Sequence, residues 1–207
     1  MNPTRRCCLA AAGLALILAG CASPSQHTRF YRLDQSAPGA AMPAAVSEGD
    51  VPPLVGISEV ALAGYLDRPQ LVERSPEHRL TLHEFDQWAG GLRENILQVM
   101  RDELQRSLPR TQVIAYPWHR GVHPEYELEL SVNRFERQGE RVWLEARWSL
   151  FEQPGGRLLL LERSAIEIPV KGGDIEPLVV ASAQAVRALA REIAGRVTRI
   201  FQPRAGK

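Results

Sequence analysis

Two segments of the sequence have the hydrophobic spacing of an amphipathic helix. In the first, which Trp88 introduces, apolar residues recur three or four positions apart from Leu92 to Leu108, and Pro109 ends the pattern. In the second, apolar residues fall every seven positions from Val179 to Ile200. Each stripe predicts a helix that packs one face against the rest of the domain.

Shorter apolar stretches predict strands. Residues 54–62 are mostly apolar, as expected of a central strand, and a turn at residues 75–78 predicts a hairpin. Further along, apolar and polar residues alternate over a three-stranded meander, which predicts one buried and one exposed face. The predicted strands are residues 28–34, 54–62, 79–84 with the segment that precedes the turn, 111–116, 126–135, 142–151 and 157–170.

These elements predict a two-layer α+β domain, with a mostly antiparallel sheet and two main helices packed on one face. Residues 35–53, rich in Ala, Pro and Gly, separate the first predicted strand from the second. A gap of this length is unusual inside a compact domain. We expect residues 28–34 to dock as an edge strand after this long loop, the alternative being that they belong to a tether.

The N-terminal residues have the pattern of a secretory signal. Arg5 and Arg6 precede an apolar run of about 14 residues, short for a membrane span of about 20. The run ends in Leu18-Ala19-Gly20-Cys21, in which two small residues precede a cysteine, as in a lipobox. We predict a signal peptide over residues 1–20, lipidation of Cys21, a tether over 21–27 and one domain over 28–207. A plain signal peptide or a signal-anchor helix is the alternative.

Ala22 follows the predicted lipidation site, where Asp would be the usual signal for retention in the inner membrane. We therefore expect an outer-membrane lipoprotein, attached through its acyl chains, with the domain facing the periplasm. Removal of residues 1–20 leaves 187 of the 207 residues, enough for one domain. It also removes two arginines, so the formal net charge changes from +1 to −1, which gives no indication of nucleic-acid binding.

The sequence contains no convincing catalytic or metal-binding motif. His119 and His123 have the spacing of helical metal ligands, but proline and glycine residues beside and between them disfavour a helix. Alternating carboxylates in residues 125–129 fit a solvated strand better than a glycosidase pair. We predict neither an enzyme nor a bound metal or cofactor; a lipid-anchored enzyme would require a pocket that brings His83 or His119 close to carboxylates.

Two features are candidates for binding a partner. The segment Tyr65-Leu66-Asp67-Arg68-Pro69-Gln70 combines an aromatic residue, opposite charges and a proline between two predicted strands. The alternative is that its first two residues pack under the sheet while the next two form a local ion pair. Trp143 is the second candidate, for a partner or a lipid chain, because it points to the opposite face of its strand from Trp148, which shares the buried register.

Several short motifs are those of a known family: Phe30-Tyr31-Arg32-Leu33 soon after Cys21, Val55-Gly56, Tyr65 to Val72, Trp88-Ala89 with Leu92 and Asn95-Ile96, and Tyr116-Pro117-Trp118. On these residues the chain resembles the PqiC-like ABC-type transport auxiliary lipoproteins. The resemblance extends from Cys21 into the last helix.

This resemblance implies a non-enzymatic outer-membrane component of an MCE-type lipid transport system, which supports envelope integrity. The implied partner is an MCE-domain periplasmic tunnel protein, whose distal end the lipoprotein would hold, with phospholipid as a candidate ligand. Because MCE tunnels are rings, a homo-oligomeric ring of this domain is a further hypothesis. The alternative is an assembly or pilotin-type lipoprotein of another envelope complex, which would not co-purify with an MCE protein.

Overall fold

The computed structural model describes residues 27–33 and 52–201, where eight strands form one mixed sheet and two helices pack on it. This confirms the predicted α+β class. The predicted signal peptide, Cys21 and most of the tether lie outside the described residues. The strands are β1 (Arg29–Tyr31), β2 (Leu54–Leu62), β3 (Gln70–Arg74), β4 (Leu80–Trp88), β5 (Gln112–Ala115), β6 (Tyr126–Gln138), β7 (Arg141–Glu152) and β8 (Arg157–Pro169); the helices are α1 (Leu92–Ser107) and α2 (Ile175–Phe201).

The observed elements follow the predicted ones, with differences at their ends. The bounds of β2 agree with the prediction, and α1 ends before Pro109. Trp88, expected at the start of the first helix, is instead the last residue of β4, because Gly90 and Gly91 separate that strand from α1. In the described ranges, neither helix is long and apolar enough to span a membrane.

The sheet forks at β6. On one side β6 pairs with β7 along its length, and β7 pairs with β8, both antiparallel. On the other side the first half of β6 pairs in parallel with β2, whereas its last two residues pair with β3. One branch continues from β2 to β5, and the other continues from β3 through β4 to β1. The antiparallel meander β6–β8 contributes most of the paired residues, and β1 is the docked edge strand that the sequence predicts.

Both helices cover the same face of the sheet, where alternate strand residues form the core. Ile57 of β2 and Trp148 of β7 are buried there with Ile96 of α1 and Leu189 of α2. The indole nitrogen of Trp148 donates a hydrogen bond to the Ser164 hydroxyl over 3.0 Å, which satisfies its buried N–H group. The buried register of the meander is therefore confirmed. We call the opposite face, which carries Trp143, the outer face.

Gly56 is required where the outer face of β2 is covered by a loop. A Cβ atom at this position would lie 2.8 Å from Cζ3 of Trp118 and 2.8 Å from Cγ of Pro124. Real Cβ atoms do not approach other atoms this closely, so only glycine fits without displacing the loop. The Gly56 and Trp118 motifs therefore meet in space, although 61 residues of sequence lie between them.

The segment after β1 is fixed to the start of α1. The backbone N–H of Leu33 donates to Oδ1 of Asn95 over 3.0 Å, while the Asn95 amide donates to the carbonyl oxygens of Ala89 and Gly91. Leu33 is fully buried, and Asn95 is 5% exposed. The N-terminal strand is thus an integral part of the domain, which also explains why the Trp88-Ala89 and Asn95-Ile96 motifs occur together.

We expect Asn95→Ala to lower the free energy of unfolding by about 2 kcal/mol, because it leaves the buried Leu33 N–H and two carbonyl groups without their partner. Urea unfolding of the mature domain measures this change. Gln98→Ala on the same helix removes only a side-chain bond to Asp102 and should change stability by less than about 0.5 kcal/mol. Equal losses in the two variants would show that Asn95 does not hold the segment.

Candidate partner-binding loop

Residues Tyr65–Gln70, which we call the partner loop, connect β2 to β3 in a fixed conformation. Leu66 is 1% exposed and lies in the core. Its N–H donates to the Ala63 carbonyl oxygen over 2.8 Å, and the N–H of Trp88 donates to the Pro69 carbonyl oxygen over 2.7 Å. The loop is therefore attached at both ends to the body of the domain, and its exposed side chains have a fixed position.

Tyr65 turns toward the outer face of the sheet and is half-buried there. Its hydroxyl donates to Oε2 of Glu136, and the guanidinium carbon of Arg74 lies 5.6 Å from the centre of its ring. Burial, followed by the hydrogen bond to Glu136, raises the pKa of Tyr65 to about 12. The phenol thus stays protonated at neutral pH and serves as a hydrogen-bond donor.

Glu136 is the centre of this arrangement, and its side chain has no exposed surface. Its Oε1 accepts hydrogen bonds from Nε of Arg74 at 2.6 Å and from Nε of Arg134 at 2.9 Å. Burial alone would raise the pKa of Glu136, but the hydrogen bonds from Tyr65, Arg74 and Arg134 outweigh it and lower the pKa below its ordinary value. We call these four residues the Glu136 cluster; it joins the partner loop to β3 and β6.

The tip of the partner loop carries two opposite charges in different surroundings. Asp67 is 61% exposed, and its Oδ2 lies 3.3 Å from Nη2 of Arg93. Arg93 also donates to the carbonyl oxygen of Val60, which holds it on the domain. Nε of Arg68, in contrast, is buried and has no hydrogen-bond partner, and its guanidinium forms no ion pair with another described residue. Arg68 is therefore the charged residue of this loop whose guanidinium has no partner among the described residues.

Trp143, the second predicted contact residue, lies on the outer face as its register predicts. It is half-buried, because the guanidinium carbon of Arg134 lies 4.6 Å from the centre of its ring. Arg134 also belongs to the Glu136 cluster, and Trp143 pairs in register with Glu136. The structure thus places Trp143 next to the cluster rather than on a separate surface.

The predicted contact residues divide into two groups. Tyr65 and Leu66 have the packing role of the alternative interpretation, but Asp67 pairs with Arg93 and not with Arg68. Asp67, Arg68, Pro69 and Gln70 retain surface that a partner can reach. Partner binding by this loop and by Trp143 remains a prediction.

Sequence analysis missed the Glu136 cluster. The register of β6 shifts between Val132 and Arg134, so the residues after the shift exchange faces. Phe135 therefore enters the core and Glu136 joins the outer face. The signal was present, since the apolar alternation up to Val132 resumes at Phe135, three positions later instead of two.

A histidine does lie close to carboxylates, as an enzyme would require. Nε2 of His83 is 2.9 Å from Oε1 of Glu73, and Nδ1 is 4.0 Å from Oδ2 of Asp86. However, Arg137 binds Glu73 and Arg29 binds Asp86, at 2.8 and 2.7 Å. This is a network of ion pairs between strands.

A groove of about 400 Å³ beside β5 contains His119 together with Arg101 and mainly apolar residues, and His83 does not line it. Residues 27–33 and 52–201 hold no group of three or more metal-ligating side chains.

The chain belongs to the ABC-type transport auxiliary lipoprotein component family, whose model matches residues 31–194. It is thus a lipoprotein of the cell envelope that assists a transport system together with partner proteins, and the family is not one of enzymes.

Solved structures show the same fold. A crystal structure of an uncharacterized protein is 19% identical over 83% of this chain and 99% of its own, with a TM-score of 0.67. A crystal structure of a Xanthomonas campestris protein is 18% identical over 74% of this chain and 87% of its own, with a TM-score of 0.63. No curated protein matches this sequence.

Proposed function

We propose that this protein is the outer-membrane lipoprotein of an MCE-type lipid transport system, where its partner loop docks the distal end of a periplasmic tunnel protein. The observation that carries the proposal is Arg68. In a domain of a transport-auxiliary family, a fixed loop presents an arginine whose hydrogen-bonding groups are not used by the described residues.

The surroundings of Arg68 favour an acidic group on the partner. Arg68 is partly exposed and its guanidinium forms no ion pair with another described residue, so a carboxylate on the partner would supply its counter-charge. A guanidinium binds carboxylates best, because it can donate two parallel hydrogen bonds. Asp67, the neighbouring carboxylate, already pairs with Arg93. The loop is fixed before binding, so little conformational entropy is lost when the partner docks.

Three further elements belong to the proposal. Cys21 carries the acyl chains, and Ala22 directs the protein to the outer membrane. The domain performs no catalytic step; it positions the tunnel, and phospholipid passes close to it. Copies of the domain form a ring that matches the symmetry of the tunnel. A monomeric mass for the full-length protein in detergent, unchanged by addition of the tunnel protein, would contradict the ring alone.

The proposal is tested by a detergent pull-down from native envelopes, with the full-length lipoprotein carrying a C-terminal tag. Mass spectrometry then identifies both the co-purified proteins and the bound lipids. Recovery of an MCE-domain protein with phospholipid is the expected result. Recovery of a different envelope complex, without an MCE-domain protein, would identify the protein as an assembly or pilotin-type lipoprotein instead.

Arg68→Ala should weaken binding to the tunnel protein about tenfold or more, because charged and aromatic anchors dominate binding energies. Binding is measured with the purified, detergent-solubilised proteins, and the melting temperature is recorded in parallel. Arg79→Ala is the control, since Arg79 is a surface arginine that already pairs with Glu77. A loss of melting temperature that accounts for the loss of binding would assign Arg68 to packing rather than to the partner.

A further inference from the structure

Two exposed phenylalanines lie on neighbouring strands at one edge of the sheet. Phe30 of β1 is 66% exposed and Phe85 of β4 is 42% exposed. The parallel register places Phe30 opposite Gln87 and Arg29 opposite Asp86. Arg29 and Tyr31 both contact Asp86 on the helix-covered face, so alternation along β1 turns Phe30 to the outer face, and Phe85 precedes Asp86 on the adjacent strand.

These two side chains are held in place by the fold. Beyond its pairing with β4, β1 is fixed by the bond from the Ala89 N–H to the Tyr31 carbonyl oxygen over 2.8 Å and by the burial of Leu33. Within the described residues, β1 pairs with β4 alone, so its other edge carries no strand. Adjacent exposed aromatic side chains on a fixed edge are typical of a surface that contacts a membrane or another molecule.

The position of Phe30 in the chain indicates what contacts this exposed edge. Phe30 is nine residues after Cys21, so even a fully extended chain keeps the two within about 30 Å. A surface tethered at so short a distance meets the bilayer at an effective concentration in the millimolar range. We propose that Phe30 and Phe85 insert into the interfacial region of the membrane that holds the lipid anchor. This inference rests on the lipidation of Cys21 in the proposed function.

The same edge carries a positive charge on its other face, which suits a phospholipid surface. The Arg29 side chain is 58% exposed, and only its Nε is used by Asp86 at 2.7 Å. The outer part of its guanidinium is thus available to a lipid phosphate while the aromatic rings lie among the upper acyl chains.

Insertion of this edge orients the whole domain. One strand path runs from β1 through β4, β3, β6 and β7 to β8, so the β8 edge lies at the opposite end of this path from the inserted edge. Gln70, the last residue of the partner loop, lies opposite Gln87, which lies opposite Phe30. The partner loop is therefore held close to the bilayer, where a tunnel must deliver or receive its lipid.

Photo-crosslinking of the full-length lipidated protein tests the inference. We would place p-benzoylphenylalanine at position 30 or 85, reconstitute the protein in vesicles of phosphatidylethanolamine and phosphatidylglycerol, irradiate, and measure lipid adducts by intact-protein mass spectrometry. Positions 158 and 161 are the matched controls, because Leu158 and Leu161 are also exposed, at 49% and 65%, but lie on β8. We expect a several-fold higher adduct yield at 30 and 85 than at the two controls.

Each other outcome overturns the inference. Equal lipid yields at all four positions would show that the β1–β4 edge has no preference for the membrane. Protein–protein adducts at position 30 in place of lipid adducts would show that a second copy occupies the pair. The same mass spectra report whether Cys21 carries acyl chains: a non-acylated protein contradicts the proposed function, whereas an acylated protein without lipid adducts at 30 and 85 contradicts only this inference.

Discussion

The Cys21→Ala variant is expected to leave the outer-membrane fraction while its domain remains folded. Acyl chains bind a bilayer with about 0.8 kcal/mol per buried methylene, and more than one chain makes attachment stable. Without the thiol no chain is added. The contacts that hold the fold lie in residues 27–33 and 52–201, so we expect an unchanged melting temperature. Membrane fractionation and thermal unfolding measure the two effects.

A second variant separates the loss of lipid from the loss of signal cleavage. If residues 1–21 are replaced by a leader that an ordinary signal peptidase removes, the domain should appear in the soluble periplasmic fraction. Persistence of either variant in the outer membrane, with envelope integrity maintained, would mean that the lipid anchor is not what attaches the protein.

The Glu136→Gln variant should lose roughly 2–4 kcal/mol of unfolding free energy, the largest stability effect we expect from a change of one functional group. The substitution removes a buried carboxylate that accepts hydrogen bonds from Tyr65, Arg74 and Arg134. The two guanidinium groups then face a neutral amide. Removal of one partner from a buried charge pair is strongly destabilising, because it leaves the other charge uncompensated. The melting temperature should fall by about 6–12 °C for a domain of this size.

The same carboxylate predicts a pH dependence. The pKa of Glu136 is lower in the folded protein than its ordinary value of 4.5, so the folded state binds this proton more weakly than the unfolded state does. Its stabilisation is complete above about pH 4.5 and is lost as the pH falls through the folded-state pKa. Urea unfolding between about pH 3 and 6 should show a steeper acid loss for the wild type than for Glu136→Gln.

Glu145→Gln provides the control for both measurements. Glu145 also pairs with Arg134, at 3.3 Å, but its side chain is 39% exposed, so its loss should cost less than about 1 kcal/mol. If Glu145→Gln and Glu136→Gln had equal effects, neutralising any carboxylate beside Arg134 would explain the loss of stability, and the burial of Glu136 would contribute nothing.

The helices and most strands follow from the sequence because their signals are local. The apolar stripe of α1 and the alternation in β7 each depend on neighbouring residues that meet the same core. The order of the strands does not follow in this way. Long connections and competition for the same edge decide which part of β6 pairs with β2 and which part pairs with β3. No hydrophobic period records this choice. The fork at β6 was therefore beyond prediction.

The candidate site shows the same division. The partner loop stands out by composition, and it overlaps the connection between β2 and β3, except that Gln70 is the first residue of β3. The role of Tyr65 does not follow from composition, because its partner Glu136 is 71 residues away and reaches the outer face only through the register shift in β6. Arg68 and Asp67 look like a pair in the sequence, but Arg93 of α1 lies close enough to take Asp67.

The short edge strand β1 determines how the domain responds to mechanical load. Force that arrives along the chain from the N terminus acts first on the three paired residues of β1 and on the Leu33–Asn95 bond. Rupture of these contacts would release β1 while β2 to β8 stay paired. Under the anchoring at Cys21 proposed above, the β1 contacts would be the first of the described domain to break under tension, before the core strands are loaded.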